Sequence, residues 1–355
     1  MEIIRGIPSG EMQLAYPILA VGNFDGVHLG HQAILRQVVQ RAREVRGTAL
    51  ALTFDPHPVK VLAPDRPMVL LTSLPQKVRL IEALGLGRLI CLPFTLNFSE
   101  QKPAEFIENV LHLGIRAREV YVGRNFAFGH GREGTAEDLQ RIGRSLGMEV
   151  SIIEPVLVGG TVVSSSRIRK LLLEGQVAAA AGLLGRAYEI EGIVVGGDRR
   201  GRLLGFPTAN LQPPEELVPK AGVYAVKVIK GSGQDQPGPL SAIAYIGTRP
   251  TFTSNRQGKA PSILSTSTSN RREEGPSIIN TSRQNNQTIE VHLFKYEGDL
   301  YQERLCVSFL ERVRDEMVFS GPEELALQIK KDVDKAHAIH EKIARTGKSG
   351  TRPPD

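Results

Sequence analysis

Five short apolar runs set the pattern of the chain up to residue 153: ILAVG (18–22), ALALTF (49–54), RLICL (88–92), EVYVG (119–123) and EVSII (149–153). Each has the length and composition of a buried strand. Amphipathic helical stretches lie between them, in HQAILRQVVQRAREV, LPQKVRLIEALG, PAEFIENVLHLG and AEDLQRIGRSLG. The alternation leaves few solutions, because neighbouring parallel strands need a crossover and the helices supply it. It predicts an α/β, Rossmann-like parallel sheet with helices on both faces. In such sheets ligands bind outside the carboxyl ends of the strands.

The rhythm changes after about residue 185. YEIEGIVVGG, GVYAVKVIK, LSAIAYIGT, IEVHLFKYE and ERLCVSFLERV are β-rich, and few helices intervene. This half reads as an antiparallel barrel or sandwich. The boundary is expected after VAAAAGLLG, giving modules 1–184 and 185–343, the second closed by a helix over 322–343. Residues 344–355, ARTGKSGTRPPD, are expected to be a disordered tail. Residues 253–288 fit neither module, being dominated by Ser, Thr, Asn and Gln with an imperfect repeat, PSILSTS and PSIINTS. Their composition reads as a slipped duplication in a surface loop.

Composition narrows the function classes. The 355 residues are 41% hydrophobic and 23% charged, with a net charge of +6 that suits anionic partners. With no Trp and aromatics at 5%, base-stacking platforms for single-stranded nucleic acid are poorly supplied. No run reaches the roughly 18 apolar residues of a membrane span, and the N-terminus does not read as a secretory signal. Cys91 and Cys306 lie in separate apolar stretches and read as buried thiols in a cytoplasmic protein.

GNFDGVHLGH (22–31) follows the first of the five runs directly. Helix-borne zinc histidines usually sit four apart with a third ligand nearby. His28 and His31 are three apart, and no cysteine is near. Their strand-to-helix junction instead suits an anion, because free backbone N–H groups at a helix start favour negative charge. Gly26 and Gly30 would let the backbone approach a phosphate, and two imidazoles could donate hydrogen bonds to its oxygens. VVSSSRIRKLL (162–172) reads as a second helix start, with Ser164, Ser165 and Ser166 as capping residues. There Arg167 and Arg169 are expected to clamp the same phosphates.

Together GNFDGVHLGH, TFDPHP (53–58), VGRNFAFGHGREG (122–134) and SSSRIR (164–169) resemble the adenylyltransferase module of bacterial bifunctional riboflavin kinase/FAD synthetases. GDRRGRLLGFPTANL (197–211), GVYAV (222–226), IGTRPTF (246–252), IEVHLF (289–294), DLY (299–301) and VRDEMVFS (313–320) resemble the kinase module of that family, in order. The resemblance implies a nucleotidyltransferase domain followed by an antiparallel β-barrel kinase domain with a C-terminal helix. It implies that riboflavin is phosphorylated to FMN and FMN adenylylated to FAD, both with ATP and Mg²⁺, the second step releasing pyrophosphate. His28 and His31 would serve adenylyl transfer, with Asn23, Gly30, Ser165, Ser166 and Arg167 on the triphosphate. Phe54, His57, Pro58 and Asn125 would lie along the flavin. In the kinase module Gly197 and Arg202 would contact ATP, Thr208 and Asn210 would hold Mg-ATP, and Glu290 would be the general base. Expected partners are small molecules only, without nucleic acid or membrane.

Three departures stand out. Ala127 lies where the family often has Arg. Gln302 follows DLY, where Gly is usual and a left-handed conformation is free of strain. The 253–288 insertion falls between PTF and Glu290, beside the expected kinase site. Two rival readings remain from the sequence. A single-activity nucleotidyltransferase is one: either an FMN adenylyltransferase whose kinase module the insertion impairs, or an enzyme with another phosphorylated acceptor, which TFDPHP and the PTAN block disfavour. A basic nucleic-acid-binding protein has only the charge in its favour.

Overall fold

All five apolar runs become strands of one parallel sheet in the computed structural model, which describes residues 1–8, 14–65, 68–196, 206–212, 214–231, 238–248 and 287–348. Gly197, Arg202 and most of the 253–288 segment lie outside the described residues. The sheet contains β1 (Glu2–Arg5), β2 (Pro17–Val21), β3 (Thr48–Phe54), β4 (Arg88–Leu92), β5 (Glu119–Gly123) and, further on, β8 (Glu149–Ile153). Short pairs β6 (Ala127–Phe128) with β7 (Gly134–Thr135), and β9 (Leu157–Val158) with β10 (Thr161–Val162), decorate its carboxyl side. Strand order is β1-β4-β3-β2-β5-β8, parallel throughout. All of β2 is buried, as helices on both faces require.

Helices α1 (Leu29–Val45), α2 (Pro58–Leu62), α3 (Leu74–Glu82), α4 (Leu96–Ser99), α5 (Pro103–Glu105), α6 (Ala136–Ser145), α7 (Ser165–Leu173) and α8 (Val177–Leu184) accompany the sheet, and α5 runs on as a π-helix over Phe106–Gly114. α1 buries Gln32, Ile34, Leu35, Val38, Val39 and Ala42, the stripe its sequence predicts. Strand order reverses at β2, with β3, β4 and β1 on one side and β5 and β8 on the other. The crevice beyond the carboxyl ends of β2 and β5 is therefore the topological switch point where such sheets bind ligands. β2 runs directly into GNFDGVHLGH.

The second half is a closed antiparallel barrel, not a sandwich. Its strands are β11 (Tyr188–Val195), β12 (Ala209–Leu211), β13 (Gly222–Lys230), β14 (Leu240–Thr248), β15 (Gln287–Leu293) and β16 (Arg304–Asp315), in the order β11-β12-β15-β14-β13-β16. α9 (Pro322–Lys348) lies against it, burying Ala336 and Ile339 with Val223, Ala225 and Ile243. α9 runs to Lys348, beyond the expected end at 343, because no proline interrupts the ladder before Pro353. Gln287 and Thr288 belong to β15 and not to the low-complexity segment. Sequence reading missed β1 and β12, which are four and three residues long and too short to show a period.

Chain continuity is not the only link between the two halves. Gly185 caps α8 in a left-handed conformation, and β11 begins three residues later. Val69, Leu71, Ile168, Leu172 and Leu184 share one buried cluster with Tyr188, Ile190, Tyr224 and Phe309 of the barrel. Across this seam Leu217 donates its amide to the Leu70 carbonyl at 2.8 Å, and Lys220 donates to that of Leu172 at 3.0 Å. Gln302 adopts φ +63°, the conformation that Gly takes freely. Because the core is shared, Leu172→Ala should cost about 2–5 kcal/mol and lower a single unfolding transition. Calorimetry resolving two transitions, only one of them shifted, would contradict a common core.

Candidate active sites

Residues 22–28 form a turn whose backbone is held from several directions. Phe24 and Val27 have φ of +48° and +39°, uncommon for any side chain and an outlier for a β-branched one. Val27 keeps this conformation because its carbonyl accepts from Gln32 Nε2 at 2.9 Å and Arg186 Nη1 at 3.3 Å. The Gly26 carbonyl accepts from Arg186 Nη2 at 2.8 Å, and the Gly26 amide donates to Thr72 Oγ1 at 3.1 Å. The Asn23 carbonyl accepts from Thr53 Oγ1 at 3.1 Å, leaving the Asn23 side chain exposed. A Cβ on Gly26 would meet Leu71 Cδ1 at 2.8 Å, so close packing as well as its φ of +83° requires glycine there.

The two histidines sit where this turn becomes α1. His28 is the N-cap, and its Nδ1 accepts the His31 amide at 3.3 Å. A neutral His28 therefore carries its proton on Nε2. The two rings stack at 3.6 Å and 16°, with Phe24 edge-on to His31 at 5.4 Å. A Cβ on Gly30 would press on the His28 ring at 3.1 Å, so this glycine makes room for the imidazole. Burial lowers His28 to about 4 and holds His31 well below the ordinary histidine range. Both rings are neutral N–H donors at pH 7. His31 Nδ1 is buried without a hydrogen-bond partner among the described residues.

The second predicted helix start lies beside the first. Gly30 approaches the Val163 carbonyl, two residues ahead of α7. Ser164 caps α7, accepting the Arg167 amide at 3.2 Å. Ser165 Oγ donates to the Asp25 carbonyl at 2.9 Å, so its hydroxyl ties the two segments together. Ser166 and Arg167 are exposed at the helix start. Arg169 corrects the sequence reading. It is buried, paired with Asp25, and donates through Nε to the Val69 carbonyl at 2.9 Å. It cannot clamp a ligand, because it lies four residues along α7, on the face that packs into the core. Asp25 Oδ1 also accepts from the amides of Leu71 and Thr72 at 2.9 and 3.3 Å.

At the carboxyl end of β3, Phe54 stands edge-on to Phe94 at 5.6 Å and meets Phe98 at 5.9 Å, a half-buried aromatic face. His57 caps α2, with Pro58 at the first helical position, and its Nδ1 accepts from Val59 N at 3.2 Å. Burial lowers His57 to about 4, with Lys77 adding to the effect. Asn125 is exposed in the turn after β5, and Phe126 stacks on Phe128 just beyond it. Ala127 is half-buried in β6. Phe94, Phe98, Gln32 and Arg186 escaped sequence reading. Arg186 had a local signal, a cation directly after the glycine that closes a helix.

A second constellation forms on the barrel. Thr208 and Asn210 are two apart leading into β12, so they share a face, and Asn210 pairs directly with Glu290 of β15. Thr208 Oγ1 donates to Glu290 Oε2 at 3.2 Å. His292 contacts the Pro207 carbonyl through Nδ1 at 2.8 Å and so braces the same loop. Among the described residues no group of three or more His, Cys, Asp or Glu side chains forms a metal-ligand set.

An α/β sheet with two converging helix starts and paired imidazoles at its switch point, joined to a closed barrel bearing a hydroxyl, an amide and a carboxylate, fits a two-site nucleotide-dependent transferase. A FAD synthetase family model matches residues 12–167, and a riboflavin kinase model matches 184–340. Bifunctional riboflavin kinase/FMN adenylyltransferases are 33% identical in Escherichia coli (strain K12), covering 94% of this chain and 96% of theirs. The same description and identity apply in Pseudomonas fluorescens, covering 96% and 98%. The chain belongs to the bifunctional riboflavin kinase/FMN adenylyltransferase family. A crystal structure described as a macrolide-efflux protein from Streptococcus pneumoniae is also similar, with a TM-score of 0.76 and 27% identity over 95% of this chain and 99% of that one. Among the described residues no helix is long and apolar enough to cross a membrane.

The depressed histidines give a pH prediction. Unfolded histidine takes up protons below about 6.5, whereas native His28 and His57 do so only near 4. Stability should therefore be full above the unfolded value and fall as pH drops through this window. Urea midpoints should decrease from pH 7 to 5, and NMR should show both rings still neutral at pH 6. Ring titrations centred on the ordinary histidine value would contradict their burial.

Proposed function

We infer that the chain makes FMN and then FAD, with residues 1–184 as the adenylyltransferase module and 185–343, with the rest of α9, as the kinase module. The observation that carries the first assignment is the convergence of the α1 and α7 starts on one crevice, with paired neutral imidazoles at its edge. Free amides, two N–H donors and the exposed Arg167 form a cradle for an ATP triphosphate. Asn23, Gly30, His28, His31, Ser166 and Arg167 line it. Ser165 contributes by tying α7 to the turn. The aromatic face around Phe54, with His57, Pro58 and Asn125, receives the flavin.

Adenylyl transfer needs no protein nucleophile. An oxygen of the FMN phosphate attacks the α-phosphorus of ATP, and the bond to the bridging oxygen breaks as pyrophosphate leaves. Catalysis is then a matter of alignment and charge. His28 presents Nε2–H because its Nδ1 is occupied by the His31 amide. Charge building on the phosphates favours protonation of both rings, so their hydrogen bonds strengthen as the reaction proceeds.

In the barrel, Glu290 accepts the proton of the riboflavin 5′-hydroxyl as that oxygen attacks the γ-phosphorus, the bond to the β,γ-bridging oxygen breaks and ADP leaves. Thr208 and Asn210 offer a hydroxyl and an amide oxygen beside that carboxylate, hard donors that fit Mg²⁺ carried by ATP. The ion supplies charge neutralisation on the phosphates. Gly197 and Arg202 are assigned to ATP on sequence resemblance. Small molecules (ATP, riboflavin, FMN and FAD) are the partners in this reading, with no nucleic acid or membrane. The thiols of Cys91 and Cys306 are free; Cys91 is buried as expected, whereas Cys306 is only half-buried on β16, and desolvation pushes both above the ordinary cysteine range. They suit a reducing cytoplasm.

Incubation with riboflavin, ATP and Mg²⁺, followed by separation of the flavins, tests both assignments. FMN should appear first and FAD after a lag. His28→Ala should slow FAD formation by about 100–1000-fold and spare FMN formation. Glu290→Gln should stop FMN formation but leave FAD formation from supplied FMN. Loss of both activities in either folded variant would contradict two separate sites.

A further inference from the structure

Lys77 has no part in the chemistry described so far, yet it is buried at the heart of the adenylyl site, with 6% of its surface exposed. It lies on α3 with Leu74 and Ile81, one turn away on either side, a cation within an apolar stripe. Its Nζ donates to Thr53 Oγ1 at 3.3 Å, and that hydroxyl in turn donates to the Asn23 carbonyl. The ammonium therefore sits beneath the GNFDG turn at the carboxyl end of β3. It is within electrostatic reach of both His31 and His57.

Among the described residues Lys77 makes no ion pair within 4.0 Å. Asp25, the buried carboxylate of the neighbourhood, is committed to Arg169. Burial pulls Lys77 below the ordinary lysine range, opposed by the more distant Asp25, Cys91 and Asp55. A buried ammonium without a counterion is destabilising, and a methionine of similar length would fill the same space without that cost. The unmet requirement is for an anion arriving from outside.

We propose that Lys77 is a catalytic residue of adenylyl transfer, the cation that meets the phosphate oxygens where FMN and the α-phosphate of ATP are joined. The proposal rests on the adenylyl site being the cradle at His28 and His31. His31 belongs to the proposed triphosphate cradle and His57 to the proposed flavin face, and the ammonium acts on both rings. As the new P–O bond forms and the bond to the bridging oxygen breaks, negative charge spreads over the α-phosphoryl oxygens and the departing pyrophosphate. Lys77 offsets that charge and neither gains nor loses a proton.

The test uses the full chain with Lys77→Met and Lys77→Ala, each assayed for both activities and for thermal stability. FAD formation from FMN should fall about 100-fold in kcat in Lys77→Met. Riboflavin phosphorylation in the same samples should be unchanged, and the melting temperature of Lys77→Met should be equal or higher. Ethylammonium should restore FAD formation at least partly in Lys77→Ala and not in His28→Ala. An adenylyl kcat within about threefold of wild type, against the loss expected of a transition-state contact, would overturn the proposal. So would a lowered melting temperature without amine rescue, which would mark Lys77 as structural. If His28→Ala makes FAD normally as well, the cradle assignment itself falls; if only the lysine variants do, that assignment stands and Lys77 is no catalytic group.

Discussion

The buried ion pair between Asp25 and Arg169 joins the two pieces of chain that make the proposed adenylyl site. Asp25 lies in the turn after β2 and Arg169 on α7, so a contact 144 residues apart in sequence sets the spacing of two helix starts. Buried pairs are not in themselves a strong source of stability, because desolvation opposes the attraction. Their geometry is specific, however. Asp25 also accepts the amides of Leu71 and Thr72, and Arg169 donates to the Val69 carbonyl, so one pair fixes three segments. The left-handed Phe24 and Val27 persist because the surrounding bonds over-determine the turn.

The same turn links the two halves of the molecule. Arg186, between α8 and the barrel, donates to the carbonyls of Gly26 and Val27, and Gln32 bridges Val27 and Leu184. The barrel's first strand thus leaves from a segment that also shapes the phosphate cradle. Beneath the shared core, the chemistry of each half stays local. In the proposed reading the adenylyl site uses backbone amides, imidazoles and cations, and the kinase site hard oxygen donors at and beside paired strands. Both would serve to position phosphates, and in that reading neither needs a protein nucleophile.

Much of this was legible in the sequence because the signals were periodic or local. The five apolar runs gave five of the six sheet strands, and β-rich spacing gave five of the six barrel strands. β1 and β12 were hidden because a strand of three or four residues has too few positions to show a period. His28, His31 and Ser164 could be anticipated from motif context, and Thr208 and Glu290 from the family resemblance, but their hydrogen bond appears only once β12 pairs with β15. Arg169 was misread because charge alone does not tell which face of α7 a side chain occupies. Its partner Asp25 lies far away in sequence, and only the tertiary fold brings them together. Lys77 was overlooked for the opposite reason, since a lysine on an amphipathic helix is usually solvent-facing.

The most direct test of the account is to replace Asp25 by Asn and follow both products from one sample. The variant keeps an oxygen to accept the amides of Leu71 and Thr72 while removing the charge that holds Arg169. It should be assayed at a temperature where circular dichroism shows the native fold. FMN should form at the wild-type rate while conversion of FMN to FAD collapses, because only the cradle loses its spacing. Undiminished FAD formation, or an equal loss of both activities, would contradict the claim that this pair sets the geometry of the adenylyl site.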